Sequence, residues 1–100
     1  MAQALLSIQI LPKVNGGEDV IPYVDRAIEV IKASGVTYRV GPLETTLEGE
    51  LDHLIAIVKQ MNDAMFEMGS PQVMSQIKLV VNKAGEASIA KQLTKYPDGQ

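Results

Sequence analysis

Four short segments of the chain alternate apolar and polar residues, which is the period-two pattern of a strand with one buried face. They are residues 3–11, 36–40, 45–49 and 73–82. Leu6, Ile8 and Ile10 share one side of the first segment, which Pro12 ends. A tight Gly41-Pro42 turn separates the second segment from the third, so these two are expected to pair as a hairpin.

Two longer segments repeat apolar residues three and four positions apart, the spacing of a helix with one buried side. In residues 19–34 the repeating residues are Val20, Val24, Ala27, Ile28 and Ile31. In residues 50–68 they are Leu51, Leu54, Ile55, Val58, Met61, Met65 and Met68. Asp19 is expected to cap the first helix and Gly35 to end it, whereas Gly69 and Pro71 end the second. A weaker pattern predicts a short helix at about residues 87–95.

The order of these elements is β-α-β-β-α-β with a terminal helix. It predicts an α+β protein, a ferredoxin-like βαββαβ sandwich with an additional C-terminal helix. One antiparallel sheet of four strands would carry both helices on one face. The 100 residues allow one hydrophobic core, so residues 1–100 are expected to form a single domain.

The sheet face that the helices leave uncovered, called the open face below, is mixed in character. By alternation its residues are Leu5, Ser7, Gln9, Leu11, Thr37, Arg39, Thr46, Glu48, Met74, Gln76, Lys78 and Val80. This set is apolar at the ends and polar in the middle, which favours packing against the sheet of another copy. A solvated face with ion pairs between Glu48 and Arg39 or Lys78 is the alternative.

Composition and charge narrow the functional classes. The net charge is −3 and the basic residues are dispersed, which argues against a nucleic-acid partner. The chain has no cysteine and a single histidine, His53, so disulfides, thiolate nucleophiles and metal sites built on Cys or several His are excluded. No apolar run is long enough for a membrane span, and the first residues lack a signal-peptide pattern. A cytoplasmic protein with no membrane partner is therefore expected.

Glu48 is the carboxylate of most chemical interest. It could accept a hydrogen bond from a ring nitrogen or an amine of a small heterocycle, or it could simply favour the N-terminus of the following helix. Thr45 and Thr46 could bond the edge of a ligand, although threonine is also common in strands. His53 has no partner in the sequence that suggests a catalytic triad.

The chain resembles the small thiamine-binding-protein-like family. The shared elements are Pro12, the run Ile31-Lys32-Ala33-Ser34-Gly35, the pattern Tyr38-x-Val40-x-Pro42, and the pattern Thr45-x-x-Glu48-Gly49-Glu50. The segment from Pro42 to Glu50 is the most specific of them, and the similarity extends over nearly the whole chain. The family often has an acid and an arginine after its last strand, where this chain has Val81-Asn82-Lys83. That departure leaves open whether this member binds the same ligand.

The resemblance implies a homodimer or homotetramer assembled through its sheets, which binds thiamine or its hydroxymethylpyrimidine moiety and catalyses no reaction. Thr45 and Glu48 match the family motif. Sheet geometry adds four further candidates for ligand contact, which are Tyr38, Gln9, Gln76 and Lys78. No cofactor or metal is expected beside the ligand. The alternative function is an ACT-like regulatory or structural oligomer that senses another small metabolite, and a small enzyme is the third.

Overall fold

The computed structural model describes residues 3–83. Its elements are β1 (Ala4–Pro12), α1 (Ile21–Ser34), β2 (Thr37–Val40), β3 (Thr45–Gly49), α2 (Leu51–Glu67) and β4 (Val73–Val81). This is the predicted order of strands and helices, and each element begins and ends within two residues of its predicted bounds. The helix expected at about residues 87–95 lies outside the described residues.

The four strands form one antiparallel sheet in the order β2-β3-β1-β4. Strand β1 pairs with β4 along its whole length, from Ala4 opposite Val81 to Pro12 opposite Val73. It pairs with β3 only as far as Ile8, which lies opposite Thr45. Among the described residues, the last part of β1 therefore has a neighbouring strand on one side only. This unequal pairing creates the space described below.

The core lies between the sheet and the two helices. Alternate residues of β1 face it, and fully buried side chains of β3 and both helices meet them there. The largest of these side chains are Leu6, Ile31, Leu47, Leu54, Ile57, Met61 and Met65. Burying one side chain of this size stabilises the fold by about 1.5–3 kcal/mol, so this layer fixes how the helices lie on the sheet.

The start of α1 differs from the prediction by one residue. Val20, in helical conformation, is the capping residue, and Asp19 precedes it. The Asp19 side chain still serves the helix start, because its Oδ1 accepts a hydrogen bond from the Ile21 N–H at 3.0 Å. Gly35 ends the helix as predicted, with a φ of 78° that favours glycine.

The buried side of α2 was partly wrong in the prediction. Ile55 and Met68 were assigned to it, but they are 48% and 36% exposed. Ile57 is buried instead, together with Leu54 and Met61. These three residues are three and four positions apart, so they follow one stripe of the helix, and Ile55 points away from it. The sequence pattern fitted both stripes because α2 also carries large apolar residues, Ile55 and Phe66, on its exposed side.

Two buried polar side chains tie the loops to the core. The Ser70 hydroxyl lies 2.7 Å from the Lys13 carbonyl oxygen and 2.9 Å from that of Gln72, which fixes the end of α2 beside the end of β1. The Tyr23 hydroxyl donates to the Met68 carbonyl oxygen at 3.2 Å and lies 3.4 Å from the Glu18 carboxylate. Burial raises the pKa of Tyr23, and the charge of Glu18 raises it further.

Candidate functional site

A pocket of about 330 Å³ opens between α1, the end of β1 and the β2–β3 hairpin. Its deeper walls are apolar and are formed by Ile8, Ile10, Val24, Ala27, Ile31 and Met61. Three polar residues, Gln9, Glu44 and Thr45, contribute to its lining. A few polar groups in an apolar cavity of about 300–1,000 Å³ are typical of small-molecule sites. The volume is at the small end of that range, which suits a single aromatic ring with short substituents.

The β2–β3 turn shapes one wall of this pocket. The Gly41 N–H donates a hydrogen bond to the Glu44 carbonyl oxygen at 2.8 Å, which closes the turn. A Cβ atom on Gly41 would lie 2.8 Å from that oxygen, closer than van der Waals contact allows. The turn therefore requires glycine at this position. It brings Pro42 and Leu43 across the part of β1 that lies beyond its pairing with β3.

The rim of the pocket is apolar and accessible. Val20, Val40 and Leu43 are 40%, 50% and 78% exposed, and all three line the pocket. Exposed apolar side chains grouped at the mouth of a cavity favour association with another apolar surface. A ligand that enters the pocket would cover part of them.

The open face of the sheet has a defined order of rows. One row across the four strands is Thr37, Glu48, Leu5 and Val80, and the next is Arg39, Thr46, Ser7 and Lys78. Beyond the hairpin, only β1 and β4 remain, and the pairs are Gln9 with Gln76 and Leu11 with Met74. The twelve residues predicted for this face lie together on it, and its polar middle and apolar ends are confirmed.

Ser7 is the unexpected member of the open face. It is only 9% exposed, and its Oγ atom is buried without a hydrogen-bond partner. A buried polar group without a partner costs about 1–3 kcal/mol. Leu5, two residues earlier on the same face, is 6% exposed. Alternation places Ser7 on this face, but nothing in the sequence signals that its hydroxyl is buried and unsatisfied.

The six residues predicted to contact a ligand do not form one cluster. Those on the open face are Gln9, Glu48, Gln76 and Lys78. Tyr38 lies on the helix side, where it packs against the core, and Thr45 lies on that side in the pocket lining. Thr45 and Glu48 are three positions apart in one strand, and an odd spacing places side chains on opposite faces. The alternation of residues in the sequence already implied that Thr45 and Glu48 lie on opposite faces. The roles of all six residues in binding stay predictions.

Gln9 links the two regions. It belongs to the open face, and it also lines the pocket because the β1–β3 pairing ends one residue before it, at Ile8. Of the six predicted residues, Gln9 and Thr45 therefore lie at the pocket. Glu44, which sequence reasoning did not select, adds a half-buried residue with a carboxylate beside them.

The outer surfaces of the helices form a second, more polar groove. It has a volume of about 480 Å³ and includes Arg26, His53, Asp63 and Glu67. Within residues 3–83, no three His, Cys, Asp or Glu side chains are grouped so that they could hold a metal ion. None of the helices in that range is long and apolar enough to cross a membrane.

Solved structures with the same fold include relatives close enough in sequence to compare residue by residue. A domain of unknown function, DUF77, from Bacillus cereus has a TM-score of 0.85 and 38% identity, with 95% of this chain and 91% of that chain covered. A Thermotoga maritima protein provisionally assigned to thiamine biosynthesis or salvage has a TM-score of 0.80 and 32% identity, with 94% and 98% covered. Both support the small α+β fold of four antiparallel strands and two helices.

Sequence comparison gives the same grouping. The UPF0045 protein CPE1503 of Clostridium perfringens is 41% identical over 80 residues, which are 80% of this chain and 83% of the relative. The model of the family described as "Thiamine-binding protein" matches residues 6–97. The chain therefore belongs to the thiamine-binding protein family, as the motif from Pro42 to Glu50 predicted.

Proposed function

We propose that this chain is a non-catalytic binding protein for thiamine or its hydroxymethylpyrimidine moiety, and that the pocket beneath α1 is its ligand site. One observation carries the proposal. Three of the residues that define the family motif, Val40, Pro42 and Thr45, line this pocket. The part of the chain that identifies the family is thus also a wall of a cavity of suitable size.

The chemistry of the pocket suits an aminopyrimidine ring. Val24, Ala27 and Ile31 offer apolar surface to the faces of a flat ring. The Thr45 hydroxyl can both donate and accept a hydrogen bond, as ring nitrogens and an exocyclic amine require. The Glu44 carboxylate would attract the amine or the positive thiazolium ring, and a bond to a charged group is stronger than a neutral one.

We further propose that the protein works as a homodimer or homotetramer in which the open face of one copy meets that of another. Leu11, Met74 and Val80 are 39%, 56% and 52% exposed at the two ends of this face. They would form an apolar border around its polar centre. Burial at about 25 cal/mol per Å² of apolar surface makes such a border favourable to cover.

Titration calorimetry of the whole protein tests the proposed function. Thiamine and hydroxymethylpyrimidine are each titrated into it, and a purine base of similar size serves as the control ligand. We expect saturable binding of at least one of the first two and none of the control. Absence of binding by both at millimolar concentration would contradict the proposal.

A further inference from the structure

We infer that the open face holds a site for a phosphate group, formed by the row Arg39, Thr46, Ser7 and Lys78. The bound molecule would be a small phosphate monoester. This inference goes beyond the proposed function and does not depend on it, because the row lies across the sheet from the deep walls of the pocket.

The charge of the open face favours an anion. Among residues 3–83, the face carries two cations, Arg39 and Lys78, and one carboxylate, Glu48, so the formal charge of these described residues is +1. The whole chain has a charge of −3. An acidic protein thus has a basic surface at the centre of its sheet. Such a local excess attracts an anion.

The unsatisfied hydroxyl of Ser7 lies between these cations. Its Oγ has no partner among the described residues and the residue is 9% exposed, so the row contains a buried donor that is unsatisfied in this part of the chain. Thr46 is its neighbour across the β1–β3 pairing and adds a second hydroxyl. Side chains paired in this way start from Cβ atoms about 4.5–5.5 Å apart. Thr46 could therefore bond one oxygen atom of a phosphate directly, whereas the buried Ser7 Oγ must become accessible before it can bond a second.

Arg39 and Lys78 are placed to close over the same point. Strands are about 4.8 Å apart, so the two residues stand about 14 Å from each other on the outer strands, with Ser7 and Thr46 between them. Both side chains are long, and neither residue forms an ion pair within the part of the chain that the structure describes. A guanidinium group on one side and an ammonium group on the other would neutralise a phosphate dianion.

Association of two open faces would strengthen the need for an anion. It would bring two copies of Arg39 and Lys78 towards each other, and like charges repel in an interface. A phosphate group between them would remove that repulsion. Glu48 lies in the adjacent row and opposes an anion, so the proposed site would sit nearer to Gln9 and Gln76.

Thermal unfolding with inorganic phosphate tests this site at a constant ionic strength set with sodium chloride. The variants are Ser7→Ala and Lys78→Gln. The control is Lys32→Gln, which removes a lysine of α1. Like Lys78, Lys32 forms no ion pair in the described residues. We expect phosphate to raise the melting temperature of the wild type and of Lys32→Gln. The phosphate affinity of the other two variants should fall at least fivefold, and that of Glu48→Gln should rise.

Two further readings identify the source of the phosphate and test the alternative occupant. If thiamine monophosphate binds more tightly than both inorganic phosphate and thiamine, the ligand is a phosphate ester. If thiamine monophosphate and inorganic phosphate bind equally, the assignment of the ligand as a phosphate ester is overturned. Without phosphate, Ser7→Ala should be more stable than the wild type, since the substitution removes a buried hydroxyl that has no partner among the described residues. If Ser7→Ala associates with itself more weakly than the wild type, its hydroxyl contacts a second copy and the inference is overturned. The inference is also overturned if phosphate raises the melting temperature no more than chloride does. Thiamine binding without a phosphate effect would refute this site and leave the proposed function intact.

Discussion

Ile8 and Thr45 face each other as the last residue pair between β1 and β3. Beyond them β1 continues to Pro12 with β4 as its one strand neighbour within residues 3–83, and the β2–β3 turn bends across the space beside it. The pocket exists because β3 is shorter than β1. Since Thr45 ends the pairing, its side chain stands at the edge of the pocket.

Replacement of Thr45 tests the pocket as the ligand site. Thr45→Val keeps the shape of the side chain and removes its hydroxyl, so a ligand would lose one neutral hydrogen bond, worth about 0.5–1.5 kcal/mol. We expect thiamine or hydroxymethylpyrimidine to bind about 2–10-fold more weakly in calorimetry. Thr37→Val is the matched control, because Thr37 lies on β2 outside the pocket. Equal affinity of Thr45→Val and the wild type would remove Thr45 from the site.

Replacement of Glu48 tests the other face. Because Glu48 lies on the opposite face of the sheet from Thr45 and does not line the pocket, we expect Glu48→Ala to leave thiamine binding in the pocket unchanged and the oligomer intact. Calorimetry and sedimentation velocity measure the two properties on the same sample. If Thr45→Val weakens thiamine binding and Glu48→Ala does not, the ligand binds in the pocket alone. The reverse result would place it on the open face.

The proposed association through the open face has its own test. Val80 on that face and Ile55 on α2 are similarly exposed, at 52% and 48%, so Ile55→Lys is a control for the general effect of adding charge. Val80→Lys should weaken self-association about tenfold or more, since a buried interface must then desolvate the new charge. Sedimentation equilibrium gives the association constants. A wild-type protein that remains a monomer at all concentrations would rule out the interface.

The Gly41 turn should be intolerant of any side chain. Gly41→Ala places a methyl group 2.8 Å from the Glu44 carbonyl oxygen, so the turn must open or shift. We expect the free energy of unfolding in urea to fall by about 1–3 kcal/mol, the usual cost of overpacking. Gly16→Ala is the control, because a methyl group there would meet no atom within 4 Å. A similar small effect of both substitutions would show that the turn is not under this constraint.

Tyr23 should make the fold sensitive to alkali. Its pKa is raised from 10.0 by burial and by Glu18, so the unfolded chain loses the phenolic proton at a lower pH than the folded one. This contribution to stability is complete below about pH 10 and is lost as the pH rises towards the folded pKa. The urea midpoint of the wild type should therefore fall more steeply above pH 10 than that of Tyr23→Phe. Parallel curves for the two proteins would contradict the assignment.

The sequence alone determined the order of the elements and the faces of the strands. Alternation in β1 assigned Leu6 and Ile8 to the core and Leu5 and Ser7 to the other side, because successive side chains of a strand must point in opposite directions. Gly35 marked the end of α1, since it can adopt a positive φ without strain. The motif from Pro42 to Glu50 identified the family. These features depend on local geometry, which neighbouring residues specify by themselves.

Only the tertiary structure decided which of the possible contacts are made. The pattern of α2 allowed Ile55 or Ile57 in the core, and packing on the sheet selected Ile57. The register of β1 against β3 depends on residues about 40 positions apart in the chain, and it alone created the pocket at Thr45. It also surrounded the Ser7 hydroxyl with neighbours that do not bond it. Burial and pairing of this kind are properties of the assembled layers, and no short stretch of sequence contains them.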